Sequence, residues 1–175
     1  HFLSNVDPQV FARLAVDLNP ATTLVIVASK SWRTVETARN AQAVRRWFAQ
    51  AGIEGERLQR HWAGVTANAA GAREFGLADE AIYPFPDGVG GRFSLWSAIG
   101  LPVMLMIGPA HFRRLLDGAH AMDRHFAEAP PARNAPLLLA LVSLWNTLAL
   151  AAGTEAVVPY SDALRRLPAY LQQLQ

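Results

Sequence analysis

The sequence predicts an α/β fold: a doubly wound parallel sheet, incomplete, followed by helices and the start of a second α/β domain. Three observations lead there. Short β-branched runs alternate with amphipathic helical patterns from the N-terminus to about Pro84. Successive runs are spaced too widely for hairpins, which argues for parallel strands joined by right-handed crossovers. Beyond Asp87-Gly88-Val89-Gly90-Gly91 the β pattern lapses and helical periodicity takes over.

Taken in order, Phe2-Leu3-Ser4-Asn5-Val6 reads as a short strand. Asp7-Pro8 opens a helix with an acidic N-cap and proline at the first helical position. Val10, Phe11, Leu14 and Leu18 follow at helical spacing, and Asn19-Pro20 stops that helix. Thr23–Ala28 is the next strand, and a helix follows from Thr34 to about Ala51, with Gly52 as its C-cap. His61–Thr66 reads as a strand, Asn68 caps a short helix ending near Gly76, and Ala81–Pro84 is a short extended segment. Helices are expected over Ser94–Ile107, Ala110–Glu128, Ala135–Ala151 and Ser161–Leu174, the first bent or broken by Pro102. Ala129-Pro130-Pro131 closes the second helix and Asn134 caps the third. Ala156–Tyr160 reads as the opening strand of a further domain. The expected division is 1-92 for most of a first α/β domain, 93-153 for connecting helices and 154-175 for the start of a second domain.

Composition narrows the function classes. Of 175 residues 51% are apolar and only 17% charged, which is the balance of a folded chain. The net charge is +2, but Arg45-Arg46, Arg113-Arg114 and Arg165-Arg166 lie in separate helical patterns flanked by acids. No basic stripe with interleaved aromatics occurs, which argues against a nucleic-acid partner. The absence of cysteine excludes disulfides and thiolate chemistry. Phe93–Phe112 and Asn134–Thr154 approach the length of a membrane span. Both are interrupted by glycine, proline or polar residues, so buried core helices and no membrane partner are expected. No signal peptide or initiator methionine opens the chain, and an excerpt of a longer protein is expected.

Two stretches have chemical potential. Val25–Ala28 runs into Ser29-Lys30-Ser31-Trp32-Arg33-Thr34, a hydroxyl-rich turn between a strand and a helix. The first-turn N–H groups of a helix lack intrahelical partners and lie at the positive end of its dipole, a natural place for an anion. Ser29, Ser31 and Thr34 can each donate a hydroxyl hydrogen bond there, and Lys30 is the sole lysine in the chain. An ordinary turn with Thr34 as capping residue accounts for the same residues. The second stretch is Gly90-Gly91-Arg92, where glycines allow close backbone approach and arginine offers a planar donor fork for an oxyanion. Alternatively, it is a glycine turn whose arginine pairs a surface acid. His120, Asp123 and His125 do not share one helical face, so caps and packing explain them better than a metal does. Glu36, one turn into its helix, complements the dipole.

Asp87–Gly100 closely resembles a signature of the glucose-6-phosphate isomerase family, and Ala28–Thr37 resembles that family's A-S-K-T-F-T-T-x-E-T motif. Ser4–Asp7, Gly118–Phe126 and Leu167–Leu174 are similar to further family segments, in family order. The resemblance implies sugar-isomerase (SIS) α/β domains and interconversion of glucose 6-phosphate and fructose 6-phosphate through an enediol. It implies a cytoplasmic homodimer with no metal or organic cofactor. It places Ser29, Ser31 and Thr34 on phosphate-binding positions, with the backbone of Lys30 contributing. Arg92, with Gly91 beside it, falls on the position that stabilises the enediolate.

Some residues depart from the family pattern. Ser31 stands for threonine, Trp32-Arg33 for Phe-Thr, Pro86 for a common tryptophan and Asn146 for Trp-Tyr. Trp32-Arg33 is expected to add bulk and charge beside the phosphate. The family's general-base glutamate belongs to M-E-S-N-G-K, which this sequence does not contain, so these residues alone are expected to be inactive. The alternatives are a non-catalytic sugar-phosphate-binding SIS module, or a structural half-domain whose apolar helices serve dimer packing.

Overall fold

A computed structural model describes residues 1–174. Contacts divide the chain into two compact units, His1–Pro102 and the residues from Val103 onward.

The first unit is built on a parallel sheet of β1 (Val25–Ala28), β2 (Trp62–Thr66) and β3 (Ile82–Pro84), in the order β1-β2-β3. Val25 lies opposite Trp62 and Gly64 opposite Ile82. Every residue of β2 is buried, as befits a strand paired on both sides and covered on both faces. Parallel strands need crossovers, and these are supplied by α2 (Val35–Gln50), α3 (Gly55–Gln59) and α4 (Ala69–Phe75). Helix α1 (Pro8–Val16) precedes the sheet. The core joins Val27 of β1 and Trp62 of β2 to Ala41, Val44 and Phe48 of α2, with Ile53, Leu58, Ala72 and Leu77 closing it. The three α2 residues fall at helical spacing and form its one buried stripe. Phe48 is completely buried, which contributes about 1.5–3 kcal/mol of transfer free energy.

Local signals place the helix ends. The Asp7 carboxylate accepts from Gln9 N with Pro8 in the first turn, and Asn68 Oδ1 accepts from Gly71 N. Gly52 and Gly76 follow α2 and α4 with φ of +71° and +102°, the left-handed geometry that ends a helix cheaply only at glycine. Helix α3 has no counterpart in the sequence reading, being too short to show periodicity.

Several expectations are corrected. Phe2–Val6 is not a strand. It is held by the Asn40 side chain, whose Nδ2 donates to the carbonyls of Leu3 and Asn5, so no strand supplies its hydrogen bonds. Ser94–Ile107 is not one helix: it comprises 3-10 turns over Gly91–Trp96 and Ala98–Gly100, then α5 (Leu101–Ile107). The break falls at Ser97, upstream of Pro102, which sits in the first turn of α5 where its missing N–H costs nothing. Ser94 and Ser97 hydroxyls donate to the carbonyls of Gly91 and Ser94, competing with α-helical bonding.

The second unit contains α6 (Pro109–Glu128), α7 (Ala135–Leu148) and α8 (Leu167–Leu174). Asn134 caps α7 by accepting from Leu137 N, and His125 Nε2 accepts from Ala135 N. Ala156–Tyr160 forms no strand, having no partner among the described residues, and Tyr160 is fully exposed. Helix α8 starts only at Leu167, because Pro168 lacks the N–H needed to continue a helix from the 3-10 turn at Asp162–Leu164. Nor is α7 a buried core helix, since none of its residues is buried and Leu139 and Leu148 are 71% and 79% exposed. No described helix is long and apolar enough to cross a membrane.

Candidate active site

The carboxyl ends of parallel strands point their chain exits to one edge of the sheet, where α/β proteins hold ligands. Here β1 exits into Ser29–Thr34, β2 into Ala67-Asn68, and β3 into Phe85–Arg92.

The β1 exit is tightly fastened to β2. Ser29 N donates to Val65 O at 3.0 Å, continuing the ladder, and Ala67 N donates to Lys30 O at 3.0 Å. The Thr66 hydroxyl also donates to Lys30 O (3.1 Å) and accepts from Asn68 N (3.0 Å). Asn68 Nδ2 donates to Ser31 O at 2.9 Å. Trp32 then adopts φ of +56°, the left-handed region, at a cost of about 1–2 kcal/mol for a residue with a Cβ. Its half-buried ring packs against the core, edge-on to Phe75 with centroids 6.0 Å apart and beside Gly64, while its Cβ lies beside Gly71. The bulk of Trp32 therefore faces the core and not the space beside the loop, correcting the expectation drawn from its departure from phenylalanine. Arg33 is exposed, and its N–H donates to Ser31 Oγ at 3.2 Å.

Ser29 is buried, Lys30 half-buried, and Ser31 and Thr34 exposed. Thr34 occupies the N-cap position of α2, yet its side chain makes no capping bond. The Ser29 and Thr34 hydroxyls instead face each other at 3.5 Å, the outer limit of a hydrogen bond. In this bond Ser29 donates and Thr34 accepts, so the Thr34 hydroxyl keeps its own proton for a third group beside the open first turn of α2, and Ser29 can donate there only by giving up this long bond. Lys30 Nζ lies 3.6 Å from Asp87 Oδ1, an exposed pair that links the β1 and β3 exits at little energetic gain.

Gly91 and Arg92 open the 3-10 turn after β3. A Cβ on Gly91 would meet nothing within 4 Å, and its φ is not left-handed, so neither crowding nor turn geometry in these residues requires glycine. Arg92 is exposed and makes no ion pair with an acid among the described residues. The structure thus joins Ser29, Lys30, Ser31 and Thr34 in one loop. It carries Gly91 and Arg92 beyond the exit of β3, which is separated from β1 by β2 along the same sheet edge. Sequence reasoning misses the bonds of Thr66 and Asn68 to this loop: Asn68 is visible only as a helix cap, and the hydroxyl of Thr66 inside an apolar strand is the one signal it offers.

Fold and loops together define an α/β protein with a hydroxyl-rich turn beyond the carboxyl ends of its parallel strands. Residues 1–175 match the phosphoglucose isomerase profile from end to end, and the chain belongs to that family. It is 55% identical over 174 residues to "Glucose-6-phosphate isomerase 2" of Chromobacterium violaceum, covering 99% of this chain and 32% of that protein. It is 50% identical to the glucose-6-phosphate isomerase of Dechloromonas aromatica, covering all of this chain and 33% of the relative. Among solved structures, a glucose-6-phosphate isomerase from Chlamydia trachomatis superposes with a TM-score of 0.85 at 32% identity, over 97% of this chain and 32% of that one. A hypothetical protein from Thermus thermophilus gives 0.80 at 32% identity, over 99% and 41%. The chain spans about a third of the length of the curated relatives it matches.

Proposed function

We propose that these residues contribute the phosphate-holding part of an aldose–ketose isomerase that interconverts glucose 6-phosphate and fructose 6-phosphate. In this reading Ser29, Ser31 and Thr34 donate hydroxyl hydrogen bonds to the substrate phosphate, with the backbone at Lys30 assisting. Arg92, approached closely because Gly91 has no side chain, stabilises negative charge as a proton moves between C1 and C2. The observation that carries the proposal is the Thr34 hydroxyl at the open end of α2, which makes no capping bond and keeps its proton while accepting a long bond from Ser29. The remaining elements of the reading are SIS domains divided at 1-92, 93-153 and 154-175, a cytoplasmic homodimer, and no metal or organic cofactor. The general base is not among these residues, since a proton-transfer group must reach the C1 and C2 protons and M-E-S-N-G-K is absent.

The test is an isomerase assay on the complete gene product and, separately, on residues 1–175. The complete product is expected to turn over fructose 6-phosphate and the segment is not. Sugar-phosphate binding without turnover by the complete product would favour a non-catalytic binding module. Turnover by the segment would overturn the placement of the base.

A further inference from the structure

The β2–α4 junction contains two polar residues that the isomerase chemistry above does not use, and both are bonded to the candidate phosphate loop. Thr66 is completely buried, with its hydroxyl occupied twice, donating to Lys30 O and accepting from Asn68 N. Asn68 also works in two directions: Oδ1 accepts from Gly71 N in the first turn of α4, while Nδ2 reaches Ser31 O. Two successive carbonyls of the loop, Lys30 and Ser31, are therefore both turned toward this junction, Lys30 O taking the Ala67 N–H together with the Thr66 hydroxyl and Ser31 O taking Asn68 Nδ2. In a planar trans peptide the N–H points opposite to its C=O. The N–H groups of Ser31 and Trp32, which share those two peptide planes, are thereby turned away from the junction. Neither donates a hydrogen bond among the described residues. The left-handed Trp32 lets the chain turn after this pair, and successive N–H groups presented in such a turn form a concavity suited to an anion.

We infer that Thr66 and Asn68 are positioning residues of the phosphate loop: by holding the Lys30 and Ser31 carbonyls inward, they present the Ser31 and Trp32 N–H groups to the substrate phosphate. The inference rests on the proposed role of this loop. Neither residue touches substrate, so both act through the backbone. Asn68 would otherwise be only the cap of α4, and Thr66 only a filled core position.

Substitutions in the complete gene product separate these roles. Asn68→Ser keeps an N-cap oxygen for α4 and adds no charge, but cannot reach Ser31 O. Thr66→Val is nearly isosteric and removes the hydroxyl, whereas Thr66→Ser restores it. The readouts are the KM for fructose 6-phosphate, the inhibition constant of inorganic phosphate, and the thermal midpoint. Asn68→Ser and Thr66→Val are expected to weaken both phosphate readouts about tenfold, the loss of roughly one hydrogen bond. Thr66→Ser should recover native affinity. A purely structural role would lower the thermal midpoint and leave the phosphate inhibition constant unchanged, and that result overturns the inference. Thr34→Val serves as the reference for the loop itself. If it weakens phosphate binding while Asn68→Ser does not, the positioning role fails and the phosphate loop stands. If neither variant affects phosphate, the loop reading fails and the inference with it. Should Thr66→Val not fold, Asn68→Ser decides alone.

Discussion

A single methyl group at Gly64 should disturb the loop that follows β1. A Cβ built there would lie 2.5 Å from Leu77 Cδ2 and 3.1 and 3.3 Å from two carbons of the Trp32 ring. Leu77 is only 6% exposed and belongs to the core, so its escape is limited. Trp32 is half-buried and already in a costly backbone region, so it is the easier group to displace. Overpacking of this kind costs about 1–3 kcal/mol. Trp32→Phe alone gives up part of a buried ring, about 1 kcal/mol by area, but it vacates the space that the methyl needs. The double variant Gly64→Ala/Trp32→Phe should therefore cost less than the sum of the singles, by about 1 kcal/mol. Amide hydrogen exchange of β2 measures these local opening free energies directly. Costs that add to within about 0.5 kcal/mol would refute the idea that Trp32 wedges against Gly64.

Other substitutions probe the chemistry. In the complete gene product Arg92→Ala should lower kcat more than it raises KM for fructose 6-phosphate, by about 2.7–4 kcal/mol in transition-state stabilisation; unchanged kcat would assign Arg92 to structure. Thr34→Val should reduce affinity for sugar phosphates while leaving the thermal midpoint within a degree or two of native, because its side chain makes no capping bond; calorimetric titration showing native affinity would remove Thr34 from the site.

Features written into neighbouring residues are legible in the chain. Asp7-Pro8, Asn68, Gly76 and Asn134 punctuate helices because a cap is decided within a few positions, and all four do so in the structure. The buried run at Trp62–Thr66 likewise announces a central parallel strand. Phe2–Val6 and Ala156–Tyr160 mislead because a strand exists only with a partner, and β-branched composition cannot supply one. Pro102 draws attention as the cause of the break before α5, although serine hydroxyls competing for carbonyls act earlier in the chain. Within the candidate site, the hydroxyls of Ser29, Ser31 and Thr34 and the cation of Arg92 can be named from residue type. The direction of the Trp32 ring and the second arm of Asn68 cannot, since both depend on contacts with β2 and α4.

The parallel order β1-β2-β3 also has a consequence in time. Among the described residues no strand pairs with its chain neighbour through a tight turn: Val25 must find Trp62, and Gly64 must find Ile82, across intervening helices. Such distant pairings close late because loop entropy must be overcome before they are rewarded. Among the described residues the Ser29–Thr34 loop takes its hydrogen bonds to the rest of the sheet from Val65, Thr66, Ala67 and Asn68, so these form once β1 and β2 have docked. A phosphate-containing ligand that needs this shape would recognise docked molecules and ignore partly folded ones. It would then stabilise the native state by mass action, and its binding would report when the sheet has closed during refolding.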